Sequence, residues 1–383
     1  MDRKNIQQVF DFSYEAFATK THPTGLQHKT ARAISACKSG ELGCNIRRCQ
    51  DCSHQVIHNN SCRNRNCPSC QAVLKERWVD ARKAEVIEAP YFHVVFTLPA
   101  ELRSLVYMNQ KELYSLLHSC TSETLLELSK DKKYLGATPG IVQVLHTWGQ
   151  ELNFHPHIHC IISGAGLSSD LKLIRSKAKF FIPIKVLGKK FRGKFLNKLH
   201  KLYETNQLSF SNGEQKLRNH YEWSDYRNQL YKKDWIPYIK ETFNGFGNAI
   251  EYLGRYTHKI AISNSRIKSV TEKKVSFTAR DYRTGENKVI TLENEEFIRR
   301  FLQHVLPSGF HRIRYYGFLN NRSKKKNLQL LFKIIGKRQF SSLFSNMPME
   351  ELLFTLWNLE VRLCPECGGK NMCLSGRTFR KLE

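Results

Sequence analysis

Acidic side chains are scarce in this chain. Asp and Glu number 34 against 61 Lys and Arg, for a formal charge of +27 and a pI near 9.7. The basic excess runs the length of the sequence, so the expected partner is a polyanion, nucleic acid before an anionic membrane surface. No apolar run approaches the length that spans a bilayer, and the first residues, MDRKNIQQVF, lack the apolar core of a signal peptide. The protein is therefore expected inside a cell, away from membranes. No GxxxxGK[ST] stretch occurs, which removes the P-loop nucleotide hydrolases. What remains is 41% hydrophobic over 383 residues, enough for a real core, and twelve cysteines. In a reducing compartment those thiols point to metal before disulfides.

The segment from Val142 to Ser163, VQVLHTWGQELNFHPHIHCIIS, crowds three histidines into HPHIHC. A strand sends successive side chains to opposite faces, so His155, His157 and His159 share one face while Ile158 and Cys160 take the other. VQVLHT reads as a second strand, joined through WGQELNF. If the two pair, His146 lies opposite His157 and completes a three-ligand set. His93, in the short strand YFHVVFTLP, is a second candidate for the third ligand or a hydrogen-bonded core histidine. Imidazole clusters of this kind suit a metal ion.

Upstream, CNIRRCQDCSHQVIHNNSCRNRNCPSCQ holds two CxxC knuckles, Cys49 with Cys52 and Cys67 with Cys70. Their separation suits four thiolates around one tetrahedral ion, with Cys62, His54 and His58 as spare ligands that could displace one or help hold a second ion. Near the end, CPECGGKNMC offers Cys364, Cys367 and Cys373, one ligand short of a site. In GKKFRGKFLNKLHKLYE, lysine alternates with Phe and Leu. That pattern gives a helix with one apolar and one cationic face, either a phosphate-backbone contact or a solvated surface. Trp223 and Trp235 are either a stacking platform for bases or core.

In GFGNAIEYLGRYTHKIAISNSRI, Asn248 and Glu251 have capping-box spacing, so a helix is expected from Ala249. Tyr252 and Tyr256 then share a face one turn apart beside Arg255 and Lys259. Phenols flanked by cations suit attack on phosphorus, although such pairs also serve packing.

In this order, the early cysteine block, YFHVVFTLP, HTWGQELNFHPHIHC, YLGRYTHKIAISN and LPSGFHRIRYYGFLNNR resemble the HUH rolling-circle transposases of bacterial insertion sequences. The branch in question has two tyrosines and an N-terminal zinc-binding domain, and the similarity covers residues 15 to about 370. It implies an α+β fold, a central antiparallel sheet flanked by helices and preceded by a small zinc-binding domain. The implied division is a zinc-binding part over 1–88, a catalytic domain over 89–320 with a basic insertion near 170–240, and a basic C-terminal segment with a cysteine knuckle over 321–383.

The resemblance further implies Mg²⁺ or Mn²⁺ at His157 and His159, with a third ligand that varies in the family and for which His146 is the candidate here. Zn²⁺ is implied at Cys49, Cys52, Cys67, Cys70 and Cys62, with Cys44 a departure from the expected pattern. Tyr252 and Tyr256 match the nucleophiles, and Arg255, Lys259 and Arg266 are the expected DNA contacts. The implied activity is cleavage and rejoining of single-stranded DNA at the element's ends and at its target, through a 5′-phosphotyrosine. Strand separation falls to a host helicase, in the bacterial cytoplasm and at the nucleoid when DNA is bound. A plasmid or phage rolling-circle initiator or relaxase, and a non-catalytic zinc-dependent DNA-binding protein, are the competing expectations.

Overall fold

The computed structural model describes residues 5–176, 180–241, 254, 261–281, 284–336 and 341–380. Tyr252, Tyr256, Arg255, Lys259 and the expected cap at Asn248 and Glu251 lie outside the described residues.

Two capped helices come first. α1 (Ile6–Thr21) starts at Asn5, whose side chain accepts from the Gln8 N–H while the Gln8 side chain returns a bond to Asn5. α2 (Gly25–Ser35) repeats the device with Thr24 and Gln27. A hairpin of β1 (Cys44–Cys49) and β2 (Gln55–Asn59) leads to α3 (Ala72–Lys83). Next come β3 (Tyr91–Thr97), α4 (Arg103–Met108), α5 (Gln110–Lys130) and the long hairpin of β4 (Thr138–Trp148) and β5 (Phe154–Leu167). They are followed by β6 (Leu173–Arg175), α6 (Ile184–Glu204), α7 (His220–Lys232) and β7 (Tyr238–Glu241). A meander of β8 (Ile267–Val270), β9 (Lys274–Arg280) and β10 (Asn287–Glu293) runs into α8 (Asn294–Leu302). Last are β11 (Ile313–Gly317), α9 (Lys324–Ile335), α10 (Met349–Trp357) and β12 (Met372–Arg377).

The fold is α+β. Its central sheet is antiparallel, in the order β11-β4-β5-β3-β7 with β6 added beside β5. Strand alternation gives that sheet two unlike faces. On one, Phe92, Val94 and Phe96 of β3, Ile141 and Leu145 of β4, and Ile158, Cys160 and Ile162 of β5 are buried with residues of α4, α5 and α6 in the largest apolar cluster. On the other, Val142, Val144 and Ile161 pack with Val79 of α3 and with Leu328 and Leu331 of α9. Further along these same strands the second face changes from aliphatic to imidazole. A third cluster joins α1 to α8 and β9 through Phe10, Phe297, Phe301 and Phe277.

Burial decides one of the two open readings of the 170–240 region, that of the tryptophans, and ion pairing bears on the other. α6 turns Leu187, Phe191, Phe195 and Leu199 inward, and its lysines meet α5, with Lys190 to Glu127 at 2.5 Å and Lys194 to Glu127 at 2.8 Å. Lys198 also bonds to Glu123. These three lysines thus belong to an interhelical ion-pair row. Trp223 and Trp235 are core residues, 1% and 6% exposed, and Trp235 packs edge-on against Phe191.

The two ends of the chain meet. β12 pairs with β1, so a three-stranded sheet is built in the order β12-β1-β2.

A histidine triad and two cysteine clusters

The register of β4 and β5 sets His146 directly across from His157, and Val144 across from His159. All three imidazoles are buried, at 2%, 8% and 8% exposure, and their ligand nitrogens lie within 4.8 Å of one another. His157 Nε2 and His159 Nε2 stand 3.0 Å apart, while the other nitrogen of each ring is already engaged. His157 Nδ1–H donates to the backbone carbonyl of His155 at 2.6 Å, and His159 Nδ1 meets His93 Nε2 at 2.8 Å. With Nδ1–H directed outward on both rings, each Nε2 would keep a lone pair, the tautomer a metal ligand needs. Two lone pairs facing at this distance repel unless a cation or a proton lies between them. The donor set therefore fits a bound metal ion.

The neighbours hold the rings in place. His93 lies coplanar with His159, and burial, followed by the nearby Lys240 charge, pushes it down to about 4, so it stays neutral. It holds the His159 ring and lies one bond behind the triad. Trp148 stacks on His146 with centroids 4.6 Å apart. His155 does not join the group: its Nδ1 lies 3.3 Å from Arg103, and burial with that charge lowers its pKa. The strand's register shifts between His146 and Trp148, which carries His155 past the end of the regular alternation.

Two described residues, Gly254 and Ala261, flank Tyr256 in sequence. Gly254 is buried and helical, and a Cβ there would overlap Val79 Cγ2 on α3. Ala261 lines a small cavity together with Trp148, His304, Arg65 and Arg312. Val79 packs on the histidine-bearing face of the sheet, and Trp148 touches His146, so both anchors lie on that side. Arg266, an expected DNA contact, is engaged within the fold. Its Nε donates to Thr278 O at 2.7 Å and its Nη2 to Gln150 O at 2.5 Å, tying the turn before β8 to β9 and to the β4–β5 loop. Short-range charge patterning cannot distinguish such a tie from an open cation.

The cysteines divide differently from the expected single set. Cys67 and Cys70 gather with Cys62 and Cys37, whereas Cys49 and Cys52 gather with Cys364 and Cys367. In the first group Cys70 Sγ lies 3.6 Å from both Cys37 Sγ and Cys62 Sγ. A tetrahedron with metal–sulfur bonds of about 2.3 Å has edges of about 3.8 Å, so the spacing suits one ion. The four thiols act on one another: contacts from Cys37, then Cys62 and Cys67, drive Cys70 well below the ordinary thiol range, while contacts led by that from Cys37 push Cys62 and Cys67 well above it. His54 and His58 join neither group among the described residues, and Cys44 instead lies 3.6 Å from Thr378 Oγ1. Cys37 carried no spacing signal, because it follows a helix 25 residues before its nearest partner in sequence.

Residues 140–327 match the family described as "Putative transposase", and residues 9–98 match the "Transposase zinc-binding domain" of the IS91 type. A "Putative transposase" of Sinorhizobium fredii is 40% identical over 367 residues, covering 94% of this chain and 92% of its own. The "Transposase for insertion sequence element IS801" of Pseudomonas savastanoi pv. phaseolicola is 28% identical over 379 residues, covering 94% of this chain and 86% of its own. No solved structure matches.

Proposed function

Since the chain belongs to the IS91-type transposases and carries their zinc-binding domain, we propose that it cleaves and rejoins single-stranded DNA through a covalent phosphotyrosine, with Tyr252 and Tyr256 as nucleophiles. One observation carries this reading. The histidine triad and the anchors Gly254 and Ala261, which bracket Tyr256, lie on the same side of the central sheet. On this reading a sugar-phosphate strand lies across that side.

His146, His157 and His159 would hold a Mg²⁺ or Mn²⁺ ion, which would supply positive charge to the scissile phosphate. The all-imidazole donor set suits Mn²⁺ better than Mg²⁺, which prefers oxygen ligands. One tyrosine Oη attacks phosphorus, the P–O3′ bond breaks, and the phenol proton ends on the departing 3′ oxygen as a free hydroxyl. Arg255 and Lys259 offset the phosphate charge. The ester is conserved as a 5′-phosphotyrosine, so rejoining requires no nucleotide hydrolysis. A second tyrosine lets the protein hold two strand ends in turn, those of its own element and of a target. A host helicase opens the duplex, and the work is done in the bacterial cytoplasm on nucleoid DNA.

The test is a labelled single-stranded oligonucleotide from the element's end, incubated with the protein and Mn²⁺ or Mg²⁺. A covalent adduct is expected, and it disappears in Tyr252→Phe/Tyr256→Phe while binding persists. Adducts in the double variant would mean other nucleophiles. Their absence in the unmodified protein, with binding intact, would leave a DNA-binding protein without this chemistry.

A further inference from the structure

The zinc-binding region matched in relatives ends at residue 98, so it contains only half of the second cysteine group. The other half, Cys364 and Cys367, comes from the opposite end of the chain. Cys49 Sγ lies 3.7 Å from Cys367 Sγ, and Cys52 Sγ lies 3.6 Å from Cys364 Sγ, a partner 312 residues away in sequence. These distances are too long for disulfides, whose sulfurs bond at about 2.05 Å, and close to the edge of a tetrathiolate tetrahedron, about 3.8 Å.

The two knuckles share one backbone design. In the first, Cys49 N–H donates to His54 O at 2.8 Å and Ser53 N–H donates to Cys49 O at 3.0 Å. In the second, Cys364 N–H donates to Gly369 O at 2.8 Å and Gly368 N–H donates to Cys364 O at 3.0 Å. Both loops turn through a left-handed residue at the fourth position after the leading cysteine, Ser53 at φ 61° and Gly368 at φ 71°. They interlock as well: Asn371 Nδ2 donates to Asp51 Oδ1 at 2.8 Å, and Gln50 N–H donates to Asn371 O at 3.1 Å.

Apolar packing alone gives this small sheet little support. Its core is Cys49, Cys364 and Met372 with half-buried Val56 against them. A unit so short of apolar surface ordinarily needs a staple.

We infer that Cys49, Cys52, Cys364 and Cys367 form a second zinc site, a ribbon assembled from both ends of the chain, whose ion clasps the C-terminal segment to the N-terminal zinc-binding region. The clasp closes a loop of hundreds of residues, the case in which a metal clip removes the most chain entropy. Through β12 and the Arg47–Glu350 ion pair, at 2.5 Å, it also carries α10 with it. Zinc at the Cys37 group would thus organise one end of the chain locally, and zinc at this group would join the two ends.

Metal analysis of the full-length protein tests this. Two zinc ions per chain are expected, falling to one in Cys364→Ser/Cys367→Ser and staying at two in Cys373→Ser. Trypsin should then release the segment beyond residue 341 from the double variant and spare it in the unmodified protein. A single ion in the unmodified protein, or two in the double variant, would overturn the site. Should the double variant fail to fold, alkylation of the unmodified protein decides. Cys52 and Cys367 are exposed, yet a bound ion must protect them until a chelator is added, while Cys373 reacts at once. Immediate modification of Cys52 and Cys367 would overturn the proposal.

Discussion

The two faces of the central sheet are made by the same strands, and they do opposite things with the same residue type. On the face covered by α5, His118 Nδ1 meets the Gln143 side chain at 2.8 Å, and at the end of the β4–β5 hairpin His304 bridges Thr147 Oγ1 at 3.1 Å and Leu152 O at 3.0 Å. Those rings act as neutral struts bonded to polar atoms of the β4–β5 hairpin. On the other face, His157 and His159 bring their Nε2 atoms to 3.0 Å of each other, and their Nδ1 atoms meet His155 O and His93 Nε2. Burial is similar on both sides, so burial does not separate a structural histidine from a ligand. What separates them is convergence: His146, His157 and His159 bring ligand nitrogens within 4.8 Å of one another, and His118 and His304 belong to no such group among the described residues.

The sharpest way to break the comparison is to exchange roles across a single peptide bond. His159→Ala removes a convergent nitrogen and leaves the apolar face intact. Strand cleavage should fall by about a thousandfold or more, since charge placed at a phosphate is worth several kcal/mol, with little change in unfolding midpoint. Ile158→Ala, its neighbour, points into the main core and should cost about 2–5 kcal/mol of stability while the molecules that remain folded keep their activity. Urea unfolding and a cleavage assay on both variants check this. A large stability loss in His159→Ala would assign the triad to packing.

A milder change reaches the triad from behind. His93→Phe keeps the ring's shape beside His159 and deletes the hydrogen bond that fixes its tautomer. Loss of such a partner typically weakens metal binding by about 10–100-fold, and Mn²⁺ titration of cleavage should show a shift of that size. Unchanged Mn²⁺ dependence would make His93 a core residue and nothing more.

The strands of the site were legible in the sequence because β alternation is a short-range rule: HPHIHC and VQVLHT specify their own faces, and pairing them puts His146 opposite His157. Where the chain doubles back over long distances, local rules gave less. CxxC spacing identifies a knuckle without naming its partner, so Cys49 and Cys52 were grouped with Cys67 and Cys70, the nearest thiols in sequence. The actual companions, Cys364 and Cys367, arrive only when β12 pairs with β1. Cys37 and Arg266 are of the same kind. Each has an ordinary local context and takes its role from a partner supplied by tertiary packing.

The struts themselves offer the finest test, through pH. Burial, then the nearby Arg314 charge, lowers His118 to about 3, against an ordinary histidine value near 6.5, whereas its bond to Gln143 acts the other way. A depressed value means that the unfolded chain takes up the proton before the folded one does. This contribution is therefore complete above about pH 6.5 and is lost as pH falls toward 3, by about 1.4 kcal/mol per pH unit. Acid also strips metal from thiolates, so the fall in total stability does not isolate the histidine. The difference between the unmodified protein and His118→Gln does, because both carry the same cysteine sites. Glutamine can still bond to Gln143 but does not titrate, so any advantage of the unmodified protein at pH 7 should shrink and then reverse between pH 6 and pH 4. A difference independent of pH would show that this ring already takes up its proton within the folded core, and the distinction between strut and ligand would then rest on geometry alone.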